Sequence, residues 1–189
     1  MENRVSVEEE KRRLRQELRE RLKRLGAEEG RRKSERIQAK LLRHPQFKGS
    51  RSVLVYVASE SEVQTDSILE RAKEKGKRIY LPRIDSEKEI LQMIEMREGE
   101  TLRPNPYGIL EPPFERSRLG DPLSLDLAIV PGLGFNAKGF RLGRGKGYFD
   151  KFLSQAKQAY KIGLAFECQI MEEIPHEESD VVLDEILIG

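Results

Sequence analysis

An open α/β fold, one mainly parallel central sheet flanked by helices, is predicted by three features of the sequence. Short apolar runs rich in β-forming residues recur at 52–57, 126–131 and 160–165, the pattern of strands covered on both faces. Helical periodicity occupies intervals between such runs, and no internal repeat is detectable. At 189 residues the chain suits one domain. That domain is taken as 1–189, with amino-terminal helices over about 6–43 packed on a core over about 50–189.

The elements follow in order. Ser6 with Glu9 three residues later has the form of a capping box, and Leu14, Leu18, Leu22 and Leu25 recur at helical spacing until Gly26. The other faces of this helix carry Lys11, Arg12, Arg13 and Arg15 among Glu10, Glu17 and Glu20, which reads as a solvated surface with pairing between turns. A second helix is predicted over 28–43, with Ile37 and Leu41 inward and Pro45 beyond its end. A strand over 52–57, a helix over 65–75 closed by Gly76 and a strand over 78–81 form a parallel β-α-β unit. Pro82, which lacks an N–H, is expected to stop that second strand. A further strand is predicted over 89–96. Pro104, Pro106, Pro112 and Pro113 preclude regular structure over much of 99–122, which reads as a functional loop. A strand over 126–131 then enters a glycine-rich segment, followed by a helix over about 148–156, a strand over 160–165 and a last strand near Ile186.

Composition excludes several classes of function. The 35 basic and 33 acidic residues leave a formal net charge of +2, so no global field favours nucleic acid or membrane. A reading of the basic first helix and the RGKG run as an RNA surface lacks aromatic interleaving as well as net positive charge. Cys168 is the single cysteine, and His44 and His176 stand too far apart for zinc spacing, as expected in a reducing cytoplasm. The charged amino terminus and the lack of an apolar run near 20 residues lead us to expect neither signal peptide nor membrane anchor.

The informative stretch is 129–153, IVPGLGFNAKGFRLGRGKGYFDKFL. Gly139, Gly143, Gly145 and Gly147 surround Arg141, Arg144 and Lys146 between a strand and a helix. A glycine-rich backbone lets successive N–H groups converge on an anion, and cations along the curl neutralise phosphate oxygens. The following helix start is expected to add its positive dipole end. Phe140 and Gly147 occupy positions where a Walker A loop needs Gly and Ser or Thr, so this is another kind of phosphate loop. Gly132, Gly134 and Ala137 satisfy the G-x-G-x-x-A dinucleotide spacing, but 138–145 is loop-like where that fingerprint opens into a helix.

The run RLGRGKGYFD closely resembles the signature of 5-formyltetrahydrofolate cyclo-ligases. The resemblance extends over nearly the whole chain through KRRLR, EVQT, YLPR, YGILEPP and VVLDEIL. Gly134, Asn136 and Phe149 stand where many relatives have Ala, Asp and Tyr. The resemblance implies a phosphosugar-isomerase/CoA-transferase-like core and an ATP-dependent closure of 5-formyltetrahydrofolate to 5,10-methenyltetrahydrofolate with magnesium, in a monomer. It implies that Lys11, Arg15, Arg141, Gly143, Arg144, Gly145, Lys146, Gly147, Tyr148 and Phe149 bind ATP. Val57, Glu62, Arg144 and Tyr148 would meet the folate, Arg144 and Lys146 would stabilise transition-state charge, and Asp150 and Asp184 would bind magnesium. Spacing alone reads Lys11 and Arg15 as solvated, Asp150 as a carboxylate at a helix start and Asp184 as a turn residue. A nucleotide- or folate-binding protein without turnover is the alternative function.

Overall fold

The computed structural model describes residues 6–106 and 108–189; residues 1–5 of the predicted domain and Tyr107 of YGILEPP lie outside the described residues. The first helix, α1 (Val7–Leu25), starts as its sequence predicts. The Glu9 N–H donates to Ser6 Oγ and the Ser6 N–H donates to the Glu9 carboxylate, each at 3.2 Å. Gly26, at φ 72°, turns the chain into α2 (Ala27–Arg43), and a short α3 (Pro45–Gly49) follows. His44 caps α3, its Nδ1 accepting the Gln46 N–H at 3.2 Å.

The remaining elements are β1 (Ser52–Leu54), α4 (Asp66–Glu74), β2 (Arg78–Asp85), β3 (Ile90–Glu95), β4 (Arg103–Pro104), β5 (Leu110–Glu111), β6 (Leu127–Val130), β7 (Gly134–Asn136), β8 (Arg141–Leu142), α5 (Tyr148–Leu153), β9 (Tyr160–Ala165), β10 (Ile170–Met171) and β11 (Glu185–Ile188). The central sheet has six strands in the order β11-β9-β6-β1-β2-β3. All neighbours are parallel except β2 and β3. The predicted fold class is therefore the observed one.

Strand alternation divides the core between the two faces. Val53, Ile79, Leu127, Ile129, Ile162 and Leu164 pack with the inward stripes of α1 and α2, including Leu18, Ile37 and Leu41. Leu54, Tyr80, Ala128, Val130 and Ala165 face the other way, against Phe135, Phe152 and Leu153. No helix among the described residues is long and apolar enough to cross a membrane.

Three local expectations change. The strand over 78–81 does not stop at Pro82 but runs to Asp85, paired with β3. The Met96 N–H donates to the Ile79 carbonyl at 2.8 Å, so alternate β2 residues from Ile79 direct their polar backbone toward β3. Pro82 falls between them, its ring facing the side on which β1 has already ended, where no ladder donor is required. The glycine-rich segment is not plain loop: β7 and β8 form a hairpin, with β10 beside β7. Finally, α5 closes at Leu153 rather than near 156, and with six residues it contributes little dipole to any neighbouring anion.

The hairpin turn depends on Asn136 and Gly139. Asn136 Oδ1 accepts the Lys138 N–H at 3.1 Å and the Phe140 N–H at 3.0 Å. Gly139 has φ 86°, and a Cβ there would lie 2.5 Å from the Leu183 carbonyl. Gly139→Ala is therefore expected to destabilise the protein by about 2 kcal/mol, combining left-handed strain with overpacking. A denaturation midpoint equal to the parent's would show that the turn absorbs the methyl group.

Candidate active site

The chain passes from β1 to β2 on one side and then returns to β6, β9 and β11 on the other. The carboxyl ends of β1 and β6 thus flank a topological switch point, where open α/β sheets leave a crevice. A cleft opens there. Tyr56, Val57 and Glu62 extend from the end of β1, Pro131 and Gly132 from the end of β6, and the glycine-rich run supplies Arg141, Gly143, Arg144 and the stretch from Lys146 to Asp150. Pro82, Ile84 and Leu91 of the β2–β3 hairpin form an apolar wall with Ile109 and Glu111.

The structure brings most of the expected site residues together. Val57, Glu62, Arg141, Gly143, Arg144, Lys146, Gly147, Tyr148, Phe149 and Asp150 all line this cleft. Gly145 lies within the same loop at φ 113°. Lys11 and Arg15 approach from behind it on α1, and neither is a solvated side chain. Arg15 Nε donates to the Gly143 carbonyl at 3.1 Å, and Arg15 Nη1 pairs with the exposed Glu8 carboxylate at 2.8 Å. Lys11 is buried, its ammonium 2.6 Å from Asp180 Oδ2. The four-residue spacing on α1 therefore puts two cations on one face, Arg15 against the glycine-rich loop and Lys11 against the segment of Asp180.

Arg141 occupies the interior end of the cleft with only 3% of its side chain exposed. One guanidinium nitrogen donates to the Pro131 carbonyl at 3.3 Å, and the Phe149 ring lies 5.6 Å from the guanidinium carbon. Nη2 is 2.7 Å from Asp150 Oδ1, close enough for an ion pair yet misaligned for a hydrogen bond, and Nε also lacks an acceptor. Buried donors without acceptors are costly, so this guanidinium is suited to a further anion.

Across the cleft, Glu62 is held by its own loop. Its Oε2 accepts from the Ser59 N–H and hydroxyl, each at 2.9 Å, while Oε1 accepts from Arg144 at 2.9 Å. Two residues that the resemblance assigns to the folate, Glu62 and Arg144, therefore meet across the cleft. Burial, followed by the negative charge of Glu62, pushes the Tyr56 hydroxyl well above its usual range. That hydroxyl stays protonated and donates to the Val63 carbonyl at 2.8 Å.

Asp184 is the expected site residue that the structure leaves elsewhere. Its carboxylate accepts the Lys161 N–H at 2.7 Å, and its own N–H donates to the Lys161 carbonyl. Lys161 lies at the start of β9, the end of the parallel sheet remote from the cleft. Asp180 stands beside Asp150 instead: the next N–H, that of Val181, donates to Asp150 Oδ1 at 3.3 Å. Burial alone would raise the Asp180 carboxyl. The Lys11 ammonium and the Glu177 N–H, with the charges of Lys11 and Arg141, outweigh burial and hold it below the ordinary range. Spacing could not separate two aspartates four residues apart in one short stretch, SDVVLDE. Glu111 and Tyr56 also line the cleft, and nothing local in the sequence marks them as cleft residues.

A sequence model of the 5-formyltetrahydrofolate cyclo-ligase family matches residues 7–189. The 5-formyltetrahydrofolate cyclo-ligase of Mus musculus is 36% identical over 193 aligned residues, covering 97% of this chain and 95% of the relative. That of Escherichia coli K12 is 31% identical over 177, covering 90% and 95% respectively. Among solved structures, the Aquifex aeolicus 5,10-methenyltetrahydrofolate synthetase superposes with a TM-score of 0.80 at 31% identity, covering 94% of this chain and 89% of that one. The match runs through the core strands, the glycine-rich cleft loop and α1, so the chain belongs to the 5-formyltetrahydrofolate cyclo-ligase family.

Proposed function

We propose that this protein converts 5-formyltetrahydrofolate to 5,10-methenyltetrahydrofolate, consuming ATP and releasing ADP and phosphate. The observation that carries this reading is Arg141, whose buried and unaccepted donors face a glycine-rich loop at the switch point of a chain in this family. Lys11, Arg15, Arg141, Arg144 and Lys146 stand around that loop, and most are paired with carboxylates. Lys146, however, makes no ion pair among the described residues and Arg141 keeps donors without acceptors, which suits a triphosphate.

The chemistry requires little from a side-chain base. The formyl oxygen attacks the γ-phosphorus, and the bond from that phosphorus to the ADP oxygen breaks. N10 then attacks the formyl carbon, its proton passes to solvent, and the phosphate leaves with its bonding electron pair as the methenyl bridge forms. A neutral amide oxygen is a weak nucleophile, so rate comes from alignment and from stabilising charge on the transferred group. Arg144 and Lys146 supply that charge, Arg141 orients the phosphates, and Gly145 and Gly147 let the backbone approach them. Glu62 takes the amidine-like edge of the pterin, with Val57 and Tyr148 against its rings.

The residues also fit magnesium. The Val181 N–H donates to Asp150 Oδ1 and so brings the segment of Asp180 beside Asp150, and carboxylate oxygens are the hard donors that this ion takes. Asp150 and Asp180 would hold it, and when bound it would neutralise charge on the β- and γ-phosphates.

Purified protein given 5-formyltetrahydrofolate, ATP and magnesium is expected to produce the methenyl absorbance, and to produce none when ATP is omitted. Tight binding of both substrates without that absorbance would make the protein a binding module instead.

A further inference from the structure

We propose that the β4–β5 ribbon is the wall that selects the ring-bearing substrate, and that Glu111 is the positioning residue holding this wall in place. The choice of substrate rests on the folate reading of the cleft; the role of Glu111 rests on geometry alone.

Beyond Tyr80, β2 has lost β1 as a partner, and its backbone on that side needs other company. Pro82 has no N–H to satisfy. Ile84 does, and it points the same way as Pro82, away from β3. Glu111 Oε1 accepts that N–H at 3.0 Å and the Asn105 side-chain amide at 2.7 Å, while Oε2 receives Arg83 at 3.5 Å. One carboxylate, 3% exposed, thus joins the two strands of the ribbon region to the edge of the main sheet. Otherwise β4 and β5 form their own two-stranded sheet with only two residue pairs.

This join positions the cleft's apolar side. Ile109 and Glu111 sit opposite the glycine-rich loop and continue the surface of Pro82, Ile84 and Leu91. An apolar slot of this kind suits a flat aromatic ring, and the aminobenzoyl ring of a folate is such a group, whereas a triphosphate is not. Loss of Glu111 would release the ribbon, leave the Ile84 N–H without its acceptor and widen the slot on one side only.

Three variants of the full chain test this. Glu111→Ala is expected to raise KM for 5-formyltetrahydrofolate about tenfold, leave KM for ATP and kcat within about twofold, and speed exchange of the Ile84 amide hydrogen. Glu111→Gln, which keeps an acceptor for Ile84, should recover most of both effects. Ile109→Ala removes wall contact but not the join, so it should raise the same KM with Ile84 exchange as in the parent. Unchanged folate KM in Glu111→Ala and Ile109→Ala would overturn the wall. Parent-like Ile84 exchange in Glu111→Ala would overturn the join, and an equal rise in both KM values with a lower midpoint would reduce Glu111 to a structural residue. Inactivity of the parent protein would instead sink the folate reading itself, with the exchange measurement still deciding the role of Glu111.

Discussion

Lys146→Ala is expected to lower turnover about a thousandfold, the scale on which single groups aimed at developing charge act. Lys146 is exposed at the cleft rim between Gly145 and Gly147, and among the described residues it makes no ion pair or hydrogen bond. Its removal therefore takes nothing from the core, and the thermal midpoint should move by no more than about 2 °C. Arg141→Ala would be a poorer test, because a buried guanidinium packed against Phe149 and paired with Asp150 also contributes to structure. Steady-state kinetics beside a melting curve separate the two. Lys146→Arg should recover part of the rate, since charge is restored with a different shape. Equal losses of activity and stability in Lys146→Ala would make this lysine structural.

The largest stability effect is expected from Arg118→Ala, about 3–5 kcal/mol. Arg118 is buried in the proline-rich segment, where its Nε donates to the Glu95 carbonyl at 2.8 Å and its Nη1 donates to Glu100 at 2.6 Å. Glu115 lies 3.4 Å from the same guanidinium. One side chain thus fastens residues 95–118 to the edge strand β3. Its removal leaves the Glu100 carboxylate, 7% exposed, without its principal partner. Adding Glu100→Ala should return part of the loss, because the uncompensated charge is then gone as well. Urea denaturation of both single variants and the double variant measures this coupling, and strict additivity would refute it.

This pair also determines an acid dependence. The Arg118 hydrogen bond, opposed by burial and aided by the Arg97 N–H, holds the Glu100 carboxyl below its ordinary range. A carboxyl with a depressed folded value contributes full stability above its unfolded value of about 4.3 and loses it as pH falls through the lower folded value. The parent protein should lose this increment on acidification, whereas Arg118→Ala should not. Parallel stability curves for the two proteins between neutral and strongly acidic pH would contradict the assignment.

The sequence by itself determined what depends on near neighbours. The Ser6–Glu9 capping box, the leucine stripe of α1, the buried apolar strands and the order of the β-α-β unit follow from spacing and side-chain chemistry within a few residues. The glycine and arginine pattern of 141–147 is likewise legible as a flexible cationic loop, because backbone freedom and side-chain charge are local properties.

Only tertiary structure decided the rest. Pro82 stays within β2 because β1 ends beside it, which depends on a strand more than twenty residues earlier in the chain. Lys11 and Arg15 look solvated along α1, but Lys11 becomes buried and Arg15 partly buried because the segment carrying Asp180 and the loop carrying Gly143 fold against them. Asp180 rather than Asp184 faces Asp150 because the extended chain after Asp180 runs to the far end of the sheet before β11 begins. Glu111 acquires its place only where a distant strand edge leaves an amide without a partner. In each case the deciding contact joins segments far apart in sequence, and no local pattern encodes which distant group will arrive.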